Sequence, residues 1–139
     1  MTTDVIGRKE RQTAQTPKSR KAIATTFLEM CSTGDVGAAY ERFVSDEFRH
    51  HNAYFRGDAD SLAAGMEANA KEFPEKTLQI QRALEDGDLV AIHSRVQMTP
   101  GGQEMALVHI FRFVGDRIIE LWDVGQAVPA ESPNENGAF

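Results

Sequence analysis

The chain has 139 residues, a formal net charge of -6 and a single cysteine, a length that suits one domain able to bury roughly two thirds of its unfolded surface. The negative balance argues against general affinity for a phosphate backbone, and the lone Cys31 excludes an internal disulfide and offers no paired zinc ligands. No run approaches the roughly 20 apolar residues of a membrane span, and the polar start lacks the apolar block of a secretory signal, so a cytoplasmic protein with no nucleic-acid and no membrane partner is expected.

Residues 1–17 combine little apolar content with a basic excess that includes Arg8, Lys9 and Arg11, and they read as a disordered arm. From Lys18 to Ser32, Ile23, Phe27, Met30 and Cys31 recur at the spacing of one helical face, with Gly34 as a stop. Asp35 is placed to cap a second, short helix carrying Val36, Ala39, Tyr40 and Phe43. Val44 to Phe55 has no helical period and reads as an extended or irregular segment. Asp58 or Asp60 then caps a third helix, in which Leu62, Met66 and Phe73 share a side before Pro74 ends it.

Beyond Pro74 the pattern alternates: Thr77 to Glu85, the turn Asp86-Gly87-Asp88, Leu89 to Met98, the turn Pro100-Gly101-Gly102, and a hairpin from Met105 to Gln126 broken at Gly115-Asp116-Arg117. The expectation is an α+β domain over residues 18–127, with about three helices, an extended segment and a four-stranded antiparallel meander. Its strongly curved antiparallel sheet wraps around the helices, and a turn-rich tail follows at 128–139.

The closing hairpin holds the polar residues that most need a reason. Leu107, His109, Phe111 and Phe113 share one face of its first arm, and Val108, Ile110 and Arg112 share the other. Both faces are mostly apolar, so both are expected to be covered, and His109, Arg112, Glu120, Trp122 and Asp123 are the exceptions. The register stays open. A two-residue Gly115-Asp116 turn with Val114 opposite Arg117 sends His109 and Asp123 to opposite faces, whereas a one-residue bulge brings them together.

Two motifs resemble a known family. Arg49-His50-His51-Asn52 followed by Gly57, and Ile110-Phe111-Arg112-Phe113 with the run from Ile118 through Trp122-Asp123 to Gln126, are similar to motifs of the SnoaL-like group, the polyketide cyclases and predicted aldol-condensation enzymes of the nuclear-transport-factor-2-like superfamily. The tail, with Pro129, Glu131, Ser132, Asn134, Asn136 and Phe139, is similar as well, and the match runs from about residue 20 to the end. The resemblance implies a cone-shaped α+β barrel, a homodimer, and an apolar cavity between sheet and helices that takes a small-molecule ligand or substrate. Many relatives carry Asp where this chain has His109 and His where it has Leu121, so a catalytic pair does not carry over position for position.

In such a cavity, proton removal from carbon next to a carbonyl needs a base and donors for the developing enolate oxygen. Asp123 is the candidate base, and His109 is either a base itself or the hydrogen-bond partner of the acid. His51 and Asn52 are candidates to position or polarise a substrate oxygen. Neighbours in an extended segment point opposite ways, and of His50 and His51 it is His51 that is assigned to the pocket. Trp122 would add a flat wall with one N–H donor, and Gln126 a polar contact at the mouth.

Plainer roles stand beside these: an Asp123–Arg112 ion pair, His109 as a core histidine or dimer contact, Trp122 as core, Glu120 as a solvated or interface charge, and His93, which shares its face with Arg95 and Gln97, as an outer-surface residue. His50, His51, His93, His109 and Asp123 match no compact metal-ligand spacing, and neither a phosphate loop nor a nucleophile elbow is present. No metal and no cofactor are expected. The expected function is a cofactor-independent SnoaL-like enzyme, performing aldol cyclisation or isomerisation of a small, mostly apolar carbonyl compound. A non-catalytic ligand-binding or dimerisation module of the same fold is the alternative.

Overall fold

A computed structural model describes residues 19–139, and the expected basic arm, 1–17, lies outside the described residues. Helix α1 spans Arg20–Ser32 and starts where the Ser19 hydroxyl accepts from the backbone N–H of Ala22 at 3.0 Å, relieving one orphan donor of the first turn. Helix α2 spans Val36–Phe43. Asp35 occupies its cap position but makes no side-chain capping bond, which corrects the expectation for that residue. Helix α3 spans Ala59–Glu72, and of the two candidate caps it is Asp58 that accepts from Ser61 N–H, at 2.9 Å.

The segment read as extended or irregular is a strand. β1 (Val44–His50) pairs in parallel with β5 (Arg117–Ala127), while β2 (Thr77–Asp86), β3 (Leu89–Gln97), β4 (Glu104–Val114) and β5 form the expected antiparallel meander. The sheet therefore has five strands, in the order β1-β5-β4-β3-β2, and is curved and unclosed. A register shift between Val44 and Arg49 hides the alternation of β1, and its partner lies about 70 residues further on, beyond the reach of any local pattern.

The helices cover one face of the sheet. Ile23, Phe27, Leu28 and Cys31 of α1 and Val36, Ala39 and Phe43 of α2 are buried with Val90, Ile92, Phe111, Phe113, Ile118 and Leu121 of the strands in one core. Phe27 sits at its centre, its ring 5.3 Å from that of Tyr40 and 5.9 Å, edge to face, from that of Phe111, a favourable aromatic geometry. No helix among the described residues is long and apolar enough to cross a membrane. The tail returns to the opposite, outer face, where the Phe139 ring stacks on His93 and lies under the Arg95 guanidinium at 4.8 Å.

The hairpin resolves the open question of register. Val114 lies opposite Arg117 across the Gly115-Asp116 turn, Phe113 opposite Ile118, and Arg112 opposite Glu120, which leaves Ile119 as the one extra residue of a bulge. Gly115 takes φ +59° in the turn, a conformation that costs glycine little. Beyond the bulge every side chain of β5 changes face relative to an unbulged strand, so His109 comes to lie opposite Asp123 on the helix-covered side.

Candidate functional site

Two polar groups flank the β4–β5 ladder, one on each face. On the inner face the Nε2 of His109 lies 3.5 Å from Oδ1 of Asp123, and the side-chain amide of Asn52 donates to Oδ2 of the same carboxylate at 2.8 Å. The imidazole is the deeper member, with 7% of its side chain exposed against 18% for Asp123. Its ring stacks against Phe111. Burial pushes the His109 pKa below the usual 6.5, with the Asp123 charge opposing that fall, because a buried imidazolium forfeits its hydration. His109 is therefore a neutral ring beside the carboxylate.

Asn52 reaches Asp123 because the chain after β1 is tied down by the preceding histidine. His50 is buried; its Nδ1 accepts from the backbone N–H of Asn52 at 3.1 Å, and its Nε2 bonds the carbonyl of Arg56. With Nδ1 accepting, the proton resides on Nε2. The Asn52 oxygen is also engaged, accepting from the Tyr54 N–H at 3.0 Å. The Asn52 amide thus spends one of its two N–H donors on the acid and its oxygen on the local turn.

On the outer face Glu120 is the hub. It accepts from Arg49 Nε at 2.9 Å, from His51 Nε2 at 2.6 Å and from Arg112. These three donors hold its carboxyl down at about 2, since hydrogen bonds to the charged form favour it. Glu120 is only 4% exposed, which corrects its reading as a solvated charge. Arg112 pairs with Glu120, so the alternative Asp123–Arg112 ion pair is also corrected.

The sequence candidates thus divide between the faces. Asp123, His109 and Asn52 come together on the inner side. His51 stacks on Trp122, ring centroids 5.1 Å apart and planes within 10°, and both belong to the outer side with Glu120. Assigning His51 to the pocket inverted the two histidines: the pairing of Arg49 with Glu120 and His50 with Leu121 turns His50 inward. Gln126, opposite Ala106, is exposed on the outer face. A cleft of about 290 Å³ lies elsewhere, lined by Thr33, Gly34, Glu67, Ala70 and Lys71, and none of the six candidates borders it.

Solved structures with this fold include AclR of Streptomyces galilaeus, a proposed hydroxylase (23% identity, TM-score 0.66, covering 77% of this chain and 88% of that one). They also include IdmH of Streptomyces antibioticus, a proposed polyketide cyclase (20% identity, TM-score 0.61, 78% and 93%), and an NTF2-like protein of unknown function from Cytophaga hutchinsonii (16% identity, TM-score 0.63, 80% and 93%). At these identities they establish the fold and leave the chemistry to the residues. A comparison with curated protein sequences finds no match. The family model of the SnoaL-like domain matches residues 24–121, more than half of the sequence, from within α1 to within the bulged strand β5, and the chain belongs to the SnoaL-like domain family.

Proposed function

We propose that this chain is an acid–base enzyme for a small, mostly apolar carbonyl compound, working through its side chains alone and carrying out an aldol cyclisation or an isomerisation. One observation carries the reading: a carboxylate at the edge of an apolar sheet face, backed by a neutral buried imidazole and held by an amide. Asp123 is the base. Its oxygen takes the proton from carbon next to the carbonyl as the C–H electron pair becomes the enolate. The proton then returns to another carbon, which is isomerisation; alternatively the enolate carbon bonds to a second carbonyl carbon and the resulting alkoxide takes the proton. His109 places Nε2 3.5 Å from one carboxylate oxygen and Asn52 donates to the other, so the base is oriented before substrate arrives. Polyketide cyclase-like neighbours of the same fold agree with this class of chemistry.

The test is a thermal-shift screen with aromatic ketones, steroids and polyketide-like compounds, followed by deuterium exchange at the carbon next to the carbonyl of each hit. Exchange well above the buffer rate is the expected result. Binding without exchange would instead favour a ligand-binding module.

A second reading rests on the outer face. Val108 lies opposite Val124, and Ile110 opposite Trp122, as an apolar strip beside the Glu120 cluster, and Val124 is 57% exposed. We infer that this strip is the contact of a homodimer. Sedimentation of the intact protein should give twice the chain mass, and Val124→Glu should give a folded monomer, because a charge facing its own symmetry copy repels it. A wild-type protein that sediments as a monomer at micromolar concentration removes the dimer.

A further inference from the structure

Ser94 is the one hydroxyl set into an otherwise apolar row, Val90, Ile92 and Val96, on the inner face of β3. It is fully buried, and its Oγ has no hydrogen-bond partner among the described residues. The other buried side-chain polar atom in that condition is Nδ1 of His109. The two are not scattered. Ile92 faces His109 and Ser94 faces Leu107 across the β3–β4 ladder, which makes Ser94 and His109 diagonal neighbours on one face. Such neighbours are about 7–8 Å apart at the backbone and closer at Cβ, within reach of a ring and a hydroxyl.

The chemistry of the two atoms is complementary. A neutral imidazole has one donor and one acceptor nitrogen, and a serine hydroxyl can serve as either. With the Oδ1 of Asp123 facing Nε2 at 3.5 Å, the arrangement without lone-pair repulsion has the proton on Nε2 and the lone pair on Nδ1. A donor is then required at Nδ1, and the hydrophobic neighbours Ile92, Leu107 and Phe111 have none to offer. Burial that keeps His109 neutral makes the choice of tautomer, rather than of charge, the variable that Ser94 controls.

We propose that Ser94 is a positioning residue for His109: a turn of its unbonded hydroxyl about the Cα–Cβ bond brings a donor to the equally unbonded Nδ1, holds the ring proton on Nε2 and so keeps an N–H directed at Oδ1 of Asp123. The proposal rests on the reading of Asp123 as the base, and extends it to a line Ser94–His109–Asp123–Asn52 crossing from β3 through β4 and β5 to the segment after β1. Without the donor both tautomers become accessible, and the Nδ1–H form presents a lone pair to the carboxylate.

The experiment is nitrogen-15 NMR of the full chain labelled at histidine, with the His109 signals assigned by comparison with His109→Gln. Wild type should show a single Nε2–H tautomer with a hydrogen-bonded Nδ1. Ser94→Ala, which removes only an oxygen, should remain folded and show mixed tautomers or a shifted Nδ1 resonance. Its kcat for proton exchange should fall several-fold with KM held, and Ser94→Thr, which keeps the hydroxyl, should restore both readouts. An Nδ1–H tautomer in wild type, or a Ser94→Ala spectrum identical to wild type, overturns the proposal. If the tautomer responds as stated while no carbonyl compound exchanges its proton, the Ser94–His109 contact is upheld and the assignment of Asp123 as base is what fails.

Discussion

Asp123→Asn is expected to lower proton exchange by about 10²- to 10⁴-fold, the usual contribution of a positioned general base, with unfolding still cooperative. The substitution keeps size and shape, and the amide oxygen can still accept from the Asn52 side chain now bonded at 2.8 Å. What it removes is the carboxylate oxygen proposed to take the proton from carbon. The neighbouring ring is not expected to change its charge state, because burial already holds His109 neutral and the Asp123 charge is the influence opposing that. The measurement is the exchange rate of a confirmed ligand, alongside urea unfolding monitored at Trp122. A rate equal to wild type in a folded variant excludes Asp123 from the mechanism.

Glu120→Gln acts on stability instead. Hydrogen bonds to charged groups contribute about 1.5–3 kcal/mol each, but the Arg49 and His51 side chains are 65% and 46% exposed, and pairs of that kind are screened by solvent. A net loss of about 2 kcal/mol at pH 7 is therefore expected, mostly from leaving Arg112 without its counter-charge. The pH dependence carries a sign. The folded carboxyl lies at about 2 against an ordinary 4.5, so the unfolded chain binds this proton first as pH falls. The contribution is complete above about 4.5 and is lost on the way down to about 2.

His109, also held below its ordinary value, adds a separate loss that begins as pH falls past 6.5. Glu120→Gln should shrink the lower limb of a stability–pH profile, leaving the part that Asp58 and Glu104, also held below their ordinary values, contribute, and keep the upper one. An unchanged unfolding midpoint and an unchanged acid limb would show that the cluster contributes nothing to stability.

The two faces also separate the predictions from each other. Asp123 and Glu120 are three residues apart on one strand, and because side chains alternate with period two that odd separation sends one to the helix-covered side and the other to the outer side. A substitution at Asp123 should leave the acid limb of Glu120 intact, and a substitution at Glu120 should leave the His109 tautomer intact. Sites with no shared partner behave additively to within a few tenths of a kcal/mol, and the two carboxylates share none of their hydrogen-bond partners.

Sequence alone determined what depends on near neighbours: the three helices and their buried stripes, the meander with its turns at Gly87, Gly101 and Gly115, and the family, whose motifs are short and contiguous. Helical period, strand alternation and turn chemistry are written within ten or so residues and survive whatever the rest of the chain does. Only the tertiary structure decided that Val44–His50 is a strand, that His50 and not His51 turns inward, and that Glu120 gathers two arginines and a histidine. It also decided that His109 and Asp123 meet and that Ser94 lies beside them. Each of these rests on register between strands distant in sequence, and because side chains alternate with period two, one extra residue at Ile119 reverses which face every later group occupies. Such a displacement leaves no mark on local pattern, and it is what assembled the candidate site.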